Sequence, residues 1–566
     1  MARGDRHRIR RLAAVLAALL TMGGKAVAQE ALAEEPVALE QGGEQTPTVA
    51  RAFKPFPTSS VLGAPRLQRP DTPPPTAEAP PPPFQLRLGV AAEEKATDNA
   101  HAASGGGKSD LITTITPSVG ARYKTRALDL DLAYELGFDR YAVNRDLDGV
   151  RHNGLGVLDA ALIERVLFLA SRFSVTEQAI NPTGPATADG QTTPGNRTRV
   201  ATFSVTPRFE QRFGSWMVGQ LSYRHDEVRY DMSGDSRTSA DAAAALNGLG
   251  LGGVNDSRTD SAKVELRSGE AFSRLLWDYS AQASRQSQGG QILKQDTHDV
   301  GVEYRLDDAV GLLGEIGHDS IRGDRIDSAA LSGVFYSVGL HWTPSPDTDL
   351  RVGVGRRNGD QTLYVLGEHK FSPMTVLRVS SKAGITTDAM AAIEALSAVQ
   401  RDPNGVYVDP FSGRSANPGA SLFTRSNAVY RQIVHSAVLS HANARDTLSA
   451  ILSLAKQTIV GGLTPSRSGL PATGQGTIST TLSLGLEWTR QISPLTALTL
   501  NASKDDVIAS NAPGGKSQRY RAGVSLNYQM NPQLNAYASY RFVDWRPEIG
   551  TRARENMLMV GIKKRF

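Results

Sequence analysis

The sequence predicts an all-β protein, a transmembrane antiparallel up-and-down β-barrel of about 22 strands, and three observations predict it. The chain begins like an exported protein, its apolar residues alternate with polar ones in long runs, and short turns alternate with long loops. No apolar run after Leu20 approaches the roughly 20 residues of a transmembrane helix. The exported chain is therefore either soluble or a barrel, whose membrane signal is the alternation itself.

Residues 1–28 predict a secretory signal peptide. They combine five arginines, a short apolar run from Leu12 to Leu20 and a small-residue A-V-A site that ends at residue 28. The charges of this segment account for the whole formal net charge of +5, so the remainder is formally neutral and its charge predicts no nucleic-acid partner. The absence of cysteine excludes disulfides and thiol chemistry.

Residues 29–83 predict a disordered, proline-rich periplasmic linker. The stretch "RPDTPPPTAEAPPPP" has no apolar periodicity and cannot bury enough surface to fold, so it favours an extended, partly polyproline conformation. A passive tether, a docking segment for a periplasmic partner and a lumen plug remain alternative interpretations of this segment.

Residues 84–566 predict the barrel, and "ALDLDLAYELGFDRY" gives its most regular strand. Even positions from Leu128 to Phe138 are apolar, and odd positions from Asp129 to Asp139 are mainly acidic. Strands that cross a membrane need about nine to eleven residues, whereas strands of soluble sandwiches are usually about five or six. The pattern recurs in "HDVGVEYRL", "GVFYSVGLHW", "TISTTLSLGLEW", "YRAGVSLNYQM" and "LNAYASYRF", with aromatic residues near the ends of the runs. That placement is typical of the interfacial girdles of outer-membrane barrels.

The connections predict which strand ends share a side of the membrane. Short turns such as "KTR", "FGS", "TPSPD", "KFSPM", "ISPL" and "MNP" follow one set of strands. Long loops follow the other set, at residues 98–110, 142–153, 177–198, 231–259, 386–426, 457–475 and 505–517, with one tight hairpin at 358–360 on that side. The count is 22 strands, or 20 if a hairpin is merged near residues 154–176 or 428–456.

The last run, "NMLMVGIKKRF", is similar to the terminal strand that barrel-insertion machinery recognises in outer-membrane proteins. Leu558, Val560, Ile562 and Phe566 share its apolar face, and Lys564 departs from the pattern. The prediction is an integral protein in the outer membrane of a Gram-negative bacterium, with the lipid bilayer as its surroundings.

Nothing in the sequence predicts catalysis, a cofactor or a metal. "AASGGGKSD" approaches a phosphate-binding loop, but it has alanine at the first glycine position and lies between two predicted strands with no helix. Asp402 and Asp409 fit turn chemistry better than a calcium loop. No G-x-S-x-G elbow is present; a hydrolase triad assembled from distant residues is the enzymatic alternative.

Alternation places a mixed polar set of side chains on the inward face. Mixed linings of this kind pass hydrated solutes, whereas a ring of one charge sign selects ions. The thirteen candidate lumen residues are Asp129, Asp131, Glu135, Asp139, Asp278, Gln282, Glu303, Arg305, Thr481, Glu487, Arg521, Asn527 and Arg541. The segment "DAMAAIEALSAVQ" predicts a helix in the longest loop, either folded into the lumen as a constriction or capping the outer mouth; a barrel this wide favours partial occlusion.

Several segments resemble the β-barrel porin 2 family of exopolysaccharide loci, which overlaps the PEP-CTERM-system-associated outer-membrane proteins. They are "ATDNA" with "KSDLITTITPSVG", "RALDLDLAYEL", "INPTGP" with "GNRTRVATFSVTPRFEQRFGSW", and "LHWTPSPDTDLRVGVGRR". The resemblance implies a non-enzymatic outer-membrane channel that exports exopolysaccharide beside a periplasmic polysaccharide-export protein. A general or nutrient-uptake porin and a structural or adhesive surface barrel are the alternatives.

Overall fold

The computed structural model describes residues 83–103, 107–180, 187–189, 197–231, 254–323, 326–401, 407–415, 425–461, 478–510 and 515–566. The predicted signal peptide and all but the last residue of the predicted linker lie outside these ranges. The first strand begins at Phe84, where the sequence predicts the barrel to start.

The described chain is built almost entirely from long antiparallel strands. In chain order they are β1 Phe84–Thr97, β2 Asp110–Lys124, β3 Leu128–Tyr141, β4 Gly149–Ile163, β5 Leu167–Ala179, β6 Arg197–Phe213, β7 Met217–Asp231, β8 Ser257–Ser268, β9 Leu275–Gln288, β10 Gln291–Arg305, β11 Val310–Gly323, β12 Gly333–Ser345, β13 Thr348–Arg357, β14 Asp360–Ser372, β15 Thr375–Thr386, β16 Gln400–Arg401, β17 Tyr407–Val408, β18 Val429–Ala442, β19 Asp446–Gly461, β20 Ile478–Ser493, β21 Thr496–Ser510, β22 Ser517–Asn531, β23 Leu534–Pro547 and β24 Ala553–Arg565. The described helical elements are a 3-10 turn Arg145–Leu147, α1 Ser328–Leu331 and α2 Asp388–Ala398.

Strands β1–β15 and β18–β24 form one sheet of 22 strands that closes on itself. Each strand pairs with its chain neighbour, and β1 pairs with β24 from Gly89↔Arg565 to Thr97↔Met557. The predicted barrel and its count of 22 are confirmed, because the two least regular regions of the sequence each form a complete hairpin, β4–β5 and β18–β19. At about 4.8 Å between strands and about 40° of tilt, 22 strands enclose a ring about 44 Å across between backbones.

Two details of the predicted connections are wrong. The strands extend further than predicted at their loop ends: β4 already begins at Gly149, and β21 continues to Ser510. Both faces of these projecting ends carry polar residues, so the alternation that predicts a strand fades there. A second tight turn on the long-loop side was also missed. Gly289 and Gly290 connect β9 to β10 with φ values of 58° and 79°, much as Asn358 and Gly359 connect β13 to β14 with 50° and 83°.

The outer face of the barrel carries the apolar surface that a bilayer requires. On β24 the outward side chains Leu558, Val560 and Ile562 are each about half exposed, while Met557 and Met559, which alternate with them, are buried inside. Exposed aromatic side chains gather at the short-turn edge: Phe84, Tyr123, Phe213, Trp216, Trp342, Phe371, Tyr528 and Phe566. Such an apolar band with an aromatic girdle places this closed barrel in the outer membrane of a Gram-negative bacterium.

Phe566 and Lys564 are the last two residues of the sequence prediction for the terminal strand. Phe566 lies exposed at the short-turn edge, and the Lys564 ammonium lies 4.8 Å from the centre of its ring. A cation at this edge reaches the headgroup region, so Lys564 interrupts the apolar pattern without placing charge in the hydrocarbon. Recognition of this strand by insertion machinery stays a prediction.

No helix in the described ranges has the length and apolarity to cross a membrane.

Candidate functional site

The interior of the barrel is the candidate site, and its wall is polar because inward positions alternate with lipid-facing ones. On β3, Leu132 and Phe138 are exposed to lipid, whereas Asp131 and Asp139 on the opposite face are buried. The structure places all thirteen sequence-predicted lumen residues on the inner face of their strands. They are spread over β3, β9, β10, β20, β22 and β23, so they form a lining and not one cluster. Their part in transport stays a prediction.

The inner-face acids are mostly paired with cations. Asp139 accepts two hydrogen bonds from the Arg151 guanidinium and one from the Thr114 hydroxyl at 2.7 Å. The carboxylate of Glu303 contacts the His341 ring at 2.9 Å. Similar pairs join Asp129 to Lys124, Glu135 to Lys563, Glu487 to Arg414 and Arg521 to Asp505. The lining therefore carries many charges, but most of these acids are neutralised by a neighbouring cation.

The predicted helix is present, and it lies inside the lumen. Helix α2 packs on the inner face of β5–β7, where Ala389 and Ile393 contact Val200, Val228 and Tyr230. All five of these side chains are buried, with Ile393 only 1% exposed. The chain enters α2 from β15, whereas α2 contacts β5–β7, which lie nearly on the opposite side of the barrel from β15. The contacted residues lie near the loop ends of β6 and β7, so the helix narrows the lumen close to its outer mouth. This position is compatible with both predicted alternatives, the constriction and the cap.

Polar contacts fix the start of α2. The Thr387 hydroxyl accepts a hydrogen bond from the Met390 backbone N–H at 3.2 Å and another from the Gln286 side-chain amide of β9 at 2.8 Å. The Asp388 carboxylate accepts the Ser426 N–H at 2.6 Å, which ties the two ends of the long loop together. Acidic and hydroxyl groups at a helix N-terminus satisfy its free N–H groups and stabilise it.

The chain beyond α2 crosses to another part of the wall. The short hairpin β16–β17 places the Arg401 guanidinium 2.5 Å from the Asp131 carboxylate of β3, and the Tyr407 hydroxyl donates to the Asp131 carbonyl at 3.2 Å. Burial, with the nearby Asp131 charge, raises the pKa of Tyr407 above its usual range, so this hydroxyl remains a donor. Further along, Arg414 lies 3.4 Å from Glu487 on β20. The long loop therefore contacts the wall in several sectors.

A second inward segment comes from the loop between β5 and β6. Asp189 pairs with the Lys95 ammonium of β1 at 3.1 Å, and its carbonyl accepts a hydrogen bond from Arg541 of β23 at 2.9 Å. The Ala188 N–H donates to the Glu555 carboxylate of β24 at 2.7 Å. Lys95 is only 3% exposed, so this ion pair is shielded from water. The segment thus docks on the wall where the barrel closes.

Sequence reasoning missed most of the residues that hold these loops. Asp131, Glu487 and Arg541 were predicted as lumen residues, but their loop partners Arg401, Arg414 and Asp189 were not. These loops carry no periodic pattern, and the length of the connections is the one signal that predicts inward folding.

Two cavities of similar size lie between the inward loops and the wall in the described part of the chain. The first cavity, of about 440 Å³, lies beneath α2 and is lined by 28 residues, of which nine carry a hydroxyl and four a side-chain amide. Its charges are largely paired: the Arg357 guanidinium binds the Asp319 carboxylate through two hydrogen bonds of 2.7 and 2.8 Å, and Lys382 pairs with Glu394 of α2. The second cavity, of about 460 Å³, lies at the closing wall and includes the predicted residues Glu135, Asn527 and Arg541. Gln282 lines the first cavity.

Three candidate sites in the sequence remain to be placed: the glycine-rich stretch, the possible calcium loop and a metal site. The glycine-rich stretch connects β1 to β2, and residues 104–106 lie outside the described ranges. Asp409 accepts the Ser412 N–H at 3.0 Å and the Ser412 hydroxyl at 2.5 Å, which is ordinary turn chemistry; Asp402 is not described. Within the described ranges, no group of three or more His, Asp or Glu side chains is arranged to hold a metal ion.

Comparison with known proteins finds similarity to solved structures only. No protein-family model matches the chain, and no curated protein matches its sequence. Among solved structures, the FrpB iron transporter from Neisseria meningitidis (F5-1 variant) is 11% identical with a TM-score of 0.44, over 85% of this chain and 82% of that one. A ferric enterobactin receptor (PfeA) mutant from Pseudomonas aeruginosa is 10% identical with a TM-score of 0.43, over 85% and 80%. The outer membrane protein opdK from Pseudomonas aeruginosa is 11% identical with a TM-score of 0.31, over 85% and 99%.

Proposed function

We propose that this outer-membrane barrel is a non-enzymatic channel for the export of exopolysaccharide. The observation that carries the proposal is the first cavity, whose wall combines hydroxyl and amide groups with charges that neutralise one another. A polysaccharide presents many hydroxyls and little hydrophobic surface, so it needs a path of groups that both donate and accept hydrogen bonds.

Charge pairing favours such a solute over a simple ion. An unpaired cation or anion in a narrow lumen selects ions of the opposite sign. Here Arg224 lies 2.9 Å from Asp226, and Arg357 and Lys382 are engaged by Asp319 and Glu394. A neutral or weakly charged polysaccharide then meets no unpaired charge that would bind it tightly. Its hydroxyls exchange hydrogen bonds with water for hydrogen bonds of similar strength with side chains of the wall.

The inward loops give the proposed channel a closed resting state. The β16–β17 hairpin and residues 187–189 bind the wall through polar contacts, and helix α2 binds it through the Gln286–Thr387 hydrogen bond and its buried apolar cluster. These contacts can be broken and remade. Export then requires a partner that shifts these loops, and a periplasmic polysaccharide-export protein fits this role. The resemblance to barrels of exopolysaccharide loci supports the same assignment.

The proposal is tested by polysaccharide measurement in a clean deletion strain of the parent bacterium. Secreted and cell-bound polymer are quantified with the empty vector, with the full-length gene and with a version lacking residues 30–83. Loss of surface polymer that the full-length gene restores is the expected result, and the truncation reports whether the linker docks a partner. Unchanged polymer in the deletion strain would contradict the proposal and favour an uptake porin or a surface-binding barrel.

A further inference from the structure

The outer wall carries an unusual row of cations on neighbouring strands. Arg285 of β9 lies directly opposite Lys294 of β10, which in turn lies directly opposite Arg322 of β11. All three side chains are exposed. Like charges directly opposite one another destabilise a sheet. A row of three therefore calls for an anion outside the sheet.

These cations face the lipid side and lie at the height of the headgroups. Lys294 shares its face of β10 with Val300 and Tyr304, which are 41% and 45% exposed. Lys294 precedes Tyr304 by ten residues, a separation of about 33 Å along the strand and about 26 Å along the membrane normal at the usual tilt. Because Tyr304 lies at the short-turn edge of an apolar band about 25 Å tall, Lys294 lies at the opposite edge, in the outer leaflet.

Two acids lie beside the row and offset only part of its charge: Asp260 is directly opposite Arg285, and Asp296 lies two residues from Lys294 on the same face. Asp260 accepts hydrogen bonds from the Tyr223 hydroxyl and the His225 ring, both at 2.7 Å, and lies 3.4 Å from Arg258. Asp296 lies 3.9 Å from Arg322. Among the described residues, Arg285 and Lys294 make no ion pair with any acid within 4.0 Å.

A depression of about 290 Å³ lies beside the row, on its membrane side. Its floor includes the small side chains Ala262 and Ala283, with the Asp296 carboxylate beside Ala283, and its rim includes Tyr223, Asp260, Arg285 and Lys294. Ala262 of β8 lies directly opposite Ala283 of β9. On the outer face this pair is next to the opposite pair Asp260 and Arg285, on its membrane side. The wall therefore combines a hollow bounded by alanines with two adjacent cations at its upper edge.

We propose that this depression binds a phosphorylated glycolipid of the outer leaflet, with its phosphate between Arg285 and Lys294. Phosphate oxygens accept several charge-assisted hydrogen bonds at once and relieve the repulsion within the row. The Tyr223 ring and the alanine floor then contact the sugar and the first carbons of the acyl chains. A free phosphate ion gains nothing from this floor, so the structure favours a lipid headgroup. The proposal is independent of the transported solute.

The test measures binding of purified lipid A to the full-length protein in detergent by native mass spectrometry. The variant Arg285→Gln/Lys294→Gln is compared with the control Arg140→Gln/Arg554→Gln, which removes two outward-facing cations that each have an acidic neighbour. Two cations at a membrane surface predict affinity about 30-fold weaker in the first variant and unchanged in the control. Both variants must retain the heat-modifiable gel mobility of the wild type.

Two further probes separate the sources of phosphate. Dephosphorylated lipid A is expected to bind the wild type as weakly as intact lipid A binds the Arg285→Gln/Lys294→Gln variant. Equal binding of intact lipid A by all three proteins would overturn the proposal. Competition by inorganic phosphate at the affinity of lipid A would also overturn it, because the site would then be a free-anion site.

Discussion

Replacing Asp131 with asparagine should release the β16–β17 hairpin from the wall and open the proposed channel. The Asp131 carboxylate is 5% exposed and lies 2.5 Å from Arg401, whose side chain is 19% exposed, so most water is excluded from this pair. Its other cation, Arg87, is 47% exposed and contributes little. The Asp131→Asn change keeps the size of the side chain and removes its charge.

The magnitude follows from the burial of the pair. Exposed ion pairs contribute about 0–1 kcal/mol, whereas breaking a fully buried pair costs about 3–5 kcal/mol. The Asp131–Arg401 pair lies between these limits, so its loss should shift the hairpin equilibrium by about 1–3 kcal/mol, which is about 5- to 150-fold in population. If undocking opens the lumen, the open probability should rise by that factor.

Single-channel recording in planar bilayers measures this open probability. Asp129→Asn is a matched control, because Asp129 lies two residues away on the same strand and face but forms a 3.5 Å pair with Lys124 in which both partners are largely exposed. The expected result is frequent opening of Asp131→Asn and wild-type behaviour of Asp129→Asn. Equal open probabilities in the two variants would refute the assignment of the Asp131–Arg401 pair as a latch.

Two other substitutions test the barrel and the helix. Leu486→Lys places a cation on the lipid face near the middle of β20 and should destabilise the folded barrel by about 2–4 kcal/mol in urea titrations monitored by gel mobility. Ser483→Lys, on the inner face of the same strand and opposite Asp505, should fold normally and shift ion selectivity toward anions. Equal destabilisation would contradict the assigned faces. Ile393→Asp puts a charge into the buried contact of α2 with the wall and should raise channel conductance. Ala395→Asp, at a partly exposed position of α2 that does not line the first cavity, should not raise it. Identical conductance traces would show that docking of α2 does not close the pore.

The strand pattern could be predicted from the sequence because it is local. Leu132 and Asp131 fall on opposite faces by alternation alone, and this rule places every predicted lumen residue on the inner wall. The turn at Gly289 and Gly290 was missed because the flanking polar strand ends resemble a loop. The contacts of the inward loops could not be predicted in this way. Lys95 and Asp189 are 94 positions apart, and Tyr407 and Asp131 are 276 apart, so their pairing depends on barrel closure and not on any local signal.

Passage of the polymer itself is the most direct test of the export proposal. Size-fractionated polysaccharide from the parent strain is added to the periplasmic side of Asp131→Asn channels in a planar bilayer, and the ion current is recorded. The account predicts transient current blockades whose duration grows with polymer length, and few blockades in the mostly closed wild type. Open Asp131→Asn channels that conduct ions without blockade at any polymer length would contradict it.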